Sequence, residues 1–455
     1  MEKDLTKGNV LQTMVMLAIP MVIGDLLQQC YNIADTLIVG RVLGKEVLAA
    51  VGSSYTLMTF LTSILIGLSL GSGVVFSMRY GRKQIDALKE AMFTSFVFIG
   101  SLTVVITVLC YLFLDGILSL LQVPLEVIGM MKTYLLVIFG GMGGVFLYNY
   151  FACLLRSLGD SKTPLVFLGI SSILNIGLDI LYVCYWQKGA GGAALATILS
   201  QYVSGIGIMC YVWWKFPGLR IERRHMSILK ENVKEIGSYS LLTCLQQSVM
   251  NFGILLVQGI VNGFGADVMA AFAAGVKIDS FAYMPVQDFG NAYATFAAQN
   301  YGTGKKKRIQ QGFRKAIGAS CVFSLIVSIL VWVFARDLMG LFVKDAGIIA
   351  KGVHYLHIEG AFYFGIGILF LLYGHYRAVG KPGMSVILTV ISLGTRVVLA
   401  YVSSQIAWIG VTGVWAAVPI GWFLADAIGL LKMKNDSVRV ARYDVITNDS
   451  TDTLI

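Results

Sequence analysis

Apolar runs of twenty or more residues recur along nearly the whole chain, separated by short polar stretches. That length matches a helix that crosses a bilayer. Reading the runs in order predicts twelve spans, at 11–40, 47–78, 91–114, 131–155, 164–185, 190–214, 236–262, 268–298, 316–335, 350–376, 383–404 and 408–431. No alternating strand pattern competes with them. The expected fold class is an all-α integral membrane protein. Composition agrees: 57% of the 455 residues are hydrophobic and 13% are charged, about half the charged share of a soluble domain.

The net charge of +10 takes its meaning from placement. With the N-terminus inside, the segments assigned to the cytoplasm hold 26 Lys and Arg and the external loops hold seven. This asymmetry sets the orientation by the positive-inside rule, with both termini cytoplasmic. The basic stretch "YGTGKKKR" is then a loop anchor, and nucleic acid is not an expected partner. The seven cysteines, Cys30, Cys110, Cys153, Cys184, Cys210, Cys244 and Cys321, all fall within predicted spans without CxxC spacing. They read as small apolar residues.

The chain repeats itself at an offset of 221 residues. Gly44, Val47, Ala49 and Ala50 meet Gly265, Val268, Ala270 and Ala271. Tyr134-Leu135 meets Tyr355-Leu356, Arg156 and Gly159 meet Arg377 and Gly380, and Gly189, Gly192 and Ala196 meet Gly410, Gly413 and Ala417. Two six-helix halves that enter from the same side are expected to be related by a pseudo-two-fold axis along the membrane normal. The expected organisation is an N-terminal lobe at 1–215, a cytoplasmic linker at 216–235, a C-terminal lobe at 236–432 and a cytoplasmic tail at 433–455. Two lobes around a cleft suit alternating access by a monomer.

No GxxxxGK[ST] phosphate cradle is present, and no nucleophile–base constellation stands out. Catalysis and nucleotide-driven pumping are not expected. An ion gradient is the remaining energy source.

The first span carries "GDLLQQCYNIADTLIVG". At 100° per residue, Asp25, Gln28, Gln29, Asn32 and Asp35 fall within about 120° of one helix face. Such a stripe must face protein or a water-filled cavity. Pro20 lies lower on the same helix, where it favours a bend. In the fifth span, "ILNIGLDILYV" puts Asn175 and Asp179 on one face at i and i+4. Thr197 follows in the sixth. Asp35, Asn175, Asp179 and Thr197 are the candidate ion-coupling group. Their oxygens suit a hard cation such as Na+. Equally, crowded carboxylates in a low dielectric take and release H+. The plainer alternative is that these residues only cross-link helices. No further cofactor is expected.

With these residues in view, the chain resembles the multidrug and toxic compound extrusion (MATE) transporters. The resemblance rests on "QQCYNIADTLIVGRVLG" with "LAAVGSS", on "LLRSLGDSKTP", on "ILNIGLDILYV" and on "YRAVGKPG". It implies twelve helices in two lobes, and efflux of amphipathic, often cationic organic compounds in exchange for H+ or Na+ across the cell membrane. It also implies that Asp35 couples the ion, that Asn175, Asp179 and Thr197 complete its site, and that Pro20 bends the first helix. One departure stands out. Relatives with a second site in the C-terminal lobe use a seventh-helix glutamate and a tenth-helix aspartate. Here the seventh span holds no acid, and the position expected for the aspartate is Ile366.

The C-terminal half does carry Lys277, Asp279, Asp288, Glu359 and Arg396. They read as internal ion pairs, with Asp288 and Glu359 as secondary polar sites beside Asp25, Gln28, Gln29 and Asn32. Asp288 follows Pro285, where a broken helix would line the cleft. Tyr31, Tyr148, Tyr283, Met284 and Phe289 are candidates for an apolar substrate cleft. The competing functions are a flippase or exporter of a lipid-linked or other endogenous metabolite of the same superfamily, and a passive channel or scaffold.

Overall fold

The structure is a computed structural model, which describes residues 4–120, 125–406 and 408–452. The last three residues of the predicted cytoplasmic tail lie outside the described residues. The described residues form helices and turns, with no strand among them. The main helices are α1 (Val10–Val42), α2 (Lys45–Gly81), α3 (Ile85–Leu112), α4 (Leu125–Phe139), α5 (Met142–Ser157), α6 (Lys162–Asp179), α7 (Gly189–Lys215), α8 (Lys230–Asn262), α9 (Ala266–Gly302), α10 (Lys306–Gly340), α11 (Ala346–Gly360), α12 (Tyr363–Ala378), α13 (Pro382–Ser404) and α14 (Gly410–Asp452). A short helix, Leu114–Leu120, follows α3, and two single 3-10 turns fill the stretch between α7 and α8.

All twelve predicted spans fall on these helices. Nine helices among the described residues are long and apolar enough to cross a membrane, and two bent pairs bring the number to eleven. The eighth predicted span is α9, 37 residues long. It is not among the nine, and it carries Lys277, Asp279 and Asp288.

The 221-residue repeat is visible in the backbone. Lys45–Gly81 and Ala266–Gly302 begin and end at equivalent positions, as do Leu125–Phe139 and Ala346–Gly360, and Met142–Ser157 and Tyr363–Ala378. The turns repeat too. Gly44 and Gly265 have φ of +87° and +94°, Gly159 and Gly380 have +85° and +82°, and Gly189 and Gly410 have +59° and +52°. Residues with a Cβ rarely adopt this region, so glycine recurs where the chain must turn.

Two spans predicted as single helices are broken by bends of more than 40°. The 131–155 span bends by 45° between Phe139 and Met142, and the 350–376 span bends by 51° between Gly360 and Tyr363. Hydrophobicity does not register such a bend, because it costs only a few backbone hydrogen bonds. Those groups find other partners. Gly140 and Gly141 donate to Val137 O and Ile138 O at 3.0 and 2.9 Å. The Tyr202 hydroxyl donates to Gly140 O at 2.8 Å. At the equivalent place, Phe362 N donates to Glu359 O at 3.1 Å. The reverse correction applies at Pro285: α9 runs through it unbroken, so Asp288 does not follow a helix break. α1 likewise runs unbroken through the buried Pro20.

The chain divides into two compact units. One comprises Met1–Asn251, Asn291–Ala316 and Arg377–Gly383, and the other Phe252–Gly290, Ile317–Tyr376 and Met384–Ile455. In the first, the segment before α1 is tied down. Leu5 is buried. Its N–H donates to Gln299 Oε1 at 3.1 Å, and its carbonyl accepts from Asn300 Nδ2 at 3.2 Å. Lys305 Nζ donates to Thr6 O at 2.9 Å, and Arg308 donates to the carbonyls of Lys7 and Gly8 at 2.7 and 2.9 Å. Gln299 also donates to Ser157 O at 2.6 Å, so one amide joins this segment to the end of α5.

Candidate functional site

Within the first unit, α1, α6 and α7 bring the predicted ion-coupling residues together. Asp179 is 0% exposed and Asn175 is 2% exposed. Asn175 Nδ2 donates to Thr197 Oγ1 at 3.5 Å, and that hydroxyl donates to Ala193 O at 3.1 Å. Asp35 on α1 interacts directly with Asp179. The i, i+4 spacing of Asn175 and Asp179 puts both on the face of α6 that meets α7 and α1.

The hydrogen-bond accounting of this group is incomplete. Asp35 Oδ1, Asn175 Oδ1 and both carboxylate oxygens of Asp179 are buried and accept no hydrogen bond from the protein. Buried acceptors are normally satisfied, and each one left open costs about 1–3 kcal/mol. Two facing carboxylates cannot bond each other unless a proton or a cation stands between them. Four open oxygens from three side chains are thus left without a donor. Among the described residues no group of three or more His, Cys, Asp or Glu side chains forms a conventional metal site. Such an arrangement suits a monovalent ion held by carboxylate, amide and hydroxyl oxygens.

The backbone changes character at this point. Directly after Asp179 the helix widens into a π-helical turn, Ile180–Tyr185. Trp186 N donates to Leu181 O at 2.9 Å, a five-residue step. π-turns inside helices are often found at functional sites.

Tyr134 is a member of this neighbourhood that helix-face reasoning did not single out. It is buried on α4, within electrostatic reach of Asp35, Asp179 and Tyr31. Its repeat match to Tyr355 was the available signal. Of the remaining polar-stripe residues, Gln28 is exposed, while Asp25, Gln29 and Asn32 are half-buried. Asp25 stands near Tyr148 rather than at the Asp35 cluster. The Tyr148 hydroxyl donates to Pro164 O at 3.1 Å, which ties α5 to α6.

In the second unit, Asp279 and Glu359 are buried on α9 and α11, and Arg396 is buried on α13. Lys277 is exposed, which removes it from the internal ion pairs expected of this group. Two residues apart on a helix, it points away from Asp279. Asp288 is buried. Tyr283 and Met284 are half-buried and Phe289 is buried.

Long apolar helices and an internal repeat mark a membrane protein built from two similar halves. The MatE family model matches residues 20–181 and 243–402. The chain belongs to this family, the multidrug efflux transporters of the MATE type. It is 29% identical over 431 residues to the probable multidrug resistance protein YpnP of Bacillus subtilis, covering 94% of this chain and 96% of that one. It is 28% identical over 408 residues to the probable multidrug resistance protein NorM of Thermotoga maritima, covering 88% and 87%. Among solved structures, it is similar to a MATE transporter in a bent conformation, with a TM-score of 0.90, 24% identity and coverage of 96% and 98%. The straight conformation of a MATE transporter gives a TM-score of 0.87 at 25% identity, with the same coverage. The fold is thus the twelve-helix, two-lobe architecture expected from the sequence.

Proposed function

We propose that this chain is a secondary-active antiporter of the cell membrane that works as a monomer. It exports amphipathic, often cationic organic compounds by alternating access, in exchange for H+ or Na+. The observation that carries this reading is the set of open buried oxygens on Asp35, Asn175 and Asp179. A scaffold gains nothing from them, and a coupled transporter needs them. When the ion binds, it supplies the positive charge these oxygens lack. Asp35 and Asp179 hold it, while the Asn175 amide and the Thr197 hydroxyl fix the geometry. Because Asp35 lies on α1, ion occupancy favours one arrangement of that helix over another, and Pro20 is its weakest backbone point. The substrate cleft draws on Tyr31, Tyr148, Tyr283, Met284 and Phe289. Both termini are cytoplasmic.

The test is dye efflux from proteoliposomes under separately imposed pH and Na+ gradients. Transport that responds to one gradient in the wild type, and to neither in Asp35→Asn at equal reconstitution, is the expected result. Efflux indifferent to both gradients in the wild type would sink the antiport reading.

A further inference from the structure

Asp279 (α9), Tyr355 and Glu359 (α11), Tyr363 (α12) and Arg396 (α13) form a second buried polar cluster, wholly within the second unit. Asp279 is 1% exposed, Glu359 3% and Arg396 8%. The hydroxyls of Tyr355 and Tyr363 donate to the two oxygens of Asp279, one each. Asp279, Glu359 and Arg396 lie within electrostatic reach of one another. Glu359 Oε2 and Arg396 Nε are buried and have no hydrogen-bond partner.

The charge balance leaves this cluster one proton short. One guanidinium neutralises one carboxylate. The second carboxylate is then a bare negative charge in a span, which is expensive. Asp279, with two donors, is the satisfied one. Glu359 approaches the Tyr355 hydroxyl, but that hydroxyl has a single hydrogen, already donated to Asp279. It offers Glu359 only lone pairs. Glu359 gains from Tyr355 when it carries a proton and donates it, giving a chain from Glu359 through Tyr355 to Asp279. A metal cation is disfavoured here because Arg396 already places a positive charge at the site.

The other groups around the cluster do not supply the missing charge. Tyr283 on α9 donates or accepts with Ser280 at 3.4 Å. From α14, Trp415 packs its ring on Tyr355. On α11, His354 bonds Thr412 at 3.1 Å, and His357 bonds Trp332 O at 3.0 Å and stacks on that ring. Lys277 is exposed.

The repeat explains why the two halves differ. Arg396 lies 221 residues after Asn175, at the equivalent position of the second half. Where the first half places an amide among carboxylates and leaves room for a mobile cation, the second half places a fixed one.

We propose that Glu359, relayed by Tyr355 to Asp279 and held beside Arg396, is a second proton-binding site of this transporter, independent of the Asp35 group and selective for H+ over metal cations. The proton comes from bulk water and returns to it, with no other bond made or broken. This goes beyond the antiport reading and does not need it, because the proton is read directly.

The experiment is infrared difference spectroscopy of the purified full-length protein, titrated in pH at high and low Na+. Wild type and Asp35→Asn are both expected to show a protonated-carboxyl C=O stretch that titrates and is insensitive to Na+. Glu359→Gln is expected to lose that band, and Tyr355→Phe to shift it while leaving it present. A band unchanged in Glu359→Gln, or one removed by Na+, overturns the proposal. If Glu359→Gln does not yield folded protein, Glu359→Asp replaces it, with a displaced band expected and an undisplaced one counting against the site.

Discussion

Tyr134 and Tyr355 stand 221 residues apart, and each lies against buried aspartate. Tyr134 faces Asp35 and Asp179, and Tyr355 donates its hydroxyl to Asp279. The same repeat position thus supports a carboxylate cluster in each half, with different hydrogen bonding. Tyr355→Phe removes one of two donors from a buried carboxylate and should destabilise by about 1–3 kcal/mol, read as a lower Tm in a detergent thermal-shift assay. No hydrogen bond from the Tyr134 hydroxyl accompanies its burial among the bonds observed, so Tyr134→Phe should move Tm by less.

Asp179→Asn keeps the shape of the first cluster and removes one of its charges. It should insert and fold as the wild type does, with gradient-driven efflux reduced to the level of protein-free vesicles. Asn175→Ala and Thr197→Val should weaken the ion dependence without abolishing it, seen as a higher ion concentration at half-maximal transport. Asp25→Asn should be milder than Asp35→Asn, because Asp25 stands near Tyr148 and not in the cluster. Normal coupled transport in Asp179→Asn at wild-type expression would refute the assigned role.

Two glycines near the ends of equivalent helices sit against backbone. A Cβ added to Gly81 would collide with the backbone of Gln299, and one added to Gly302 with the backbone of Met78. Backbone cannot rotate aside as a side chain does. Gly81→Ala and Gly302→Ala should each cost about 1–3 kcal/mol from overpacking. Gly116→Ala is the control, since nothing lies within 4 Å of its Cβ position, and its Tm should be unchanged or slightly raised. Equal Tm values for all three would contradict the close approach.

Asp4 supplies a pH dependence outside the spans. Partial burial opposes its ionisation, but the Thr6 side chain and N–H, at 2.6 and 2.9 Å, and the charges of Lys7 and Lys305 outweigh it and hold the carboxyl below its ordinary value. A depressed carboxyl contributes stability above its unfolded value, and that contribution is lost as pH falls through the folded value. Docking of the segment before α1 should therefore be insensitive to pH near neutrality and loosen only below about pH 4. Cleavage by an acid-active protease near Thr6 measures it, and Asp4→Asn should bring the cleavage to higher pH.

Sequence showed the twelve spans and the repeat because burial in lipid leaves a strong, simple signal. Asp35, Asn175 and Asp179 stood out for the same reason, as costly residues in apolar runs. What could not be read depends on contacts between helices far apart in sequence. Tyr355 and Tyr363 look like packing residues in an apolar helix until Asp279 is placed between them. Arg396 and Glu359 were visible as charges, but not as neighbours. The bends at Gly140–Gly141 and Ala361–Phe362 left no break in hydrophobicity. Pro285 suggested a break that α9 does not make. The π-turn after Asp179 has no compositional mark at all.

The docked segment before α1 has a practical consequence. Deleting residues 4–8 takes this docking away. It removes the backbone groups that occupy Gln299, Asn300, Lys305 and Arg308 together. It also exposes the seat of Leu5. A chain without residues 4–8 should thus lose yield and solubility in detergent before any transport measurement begins.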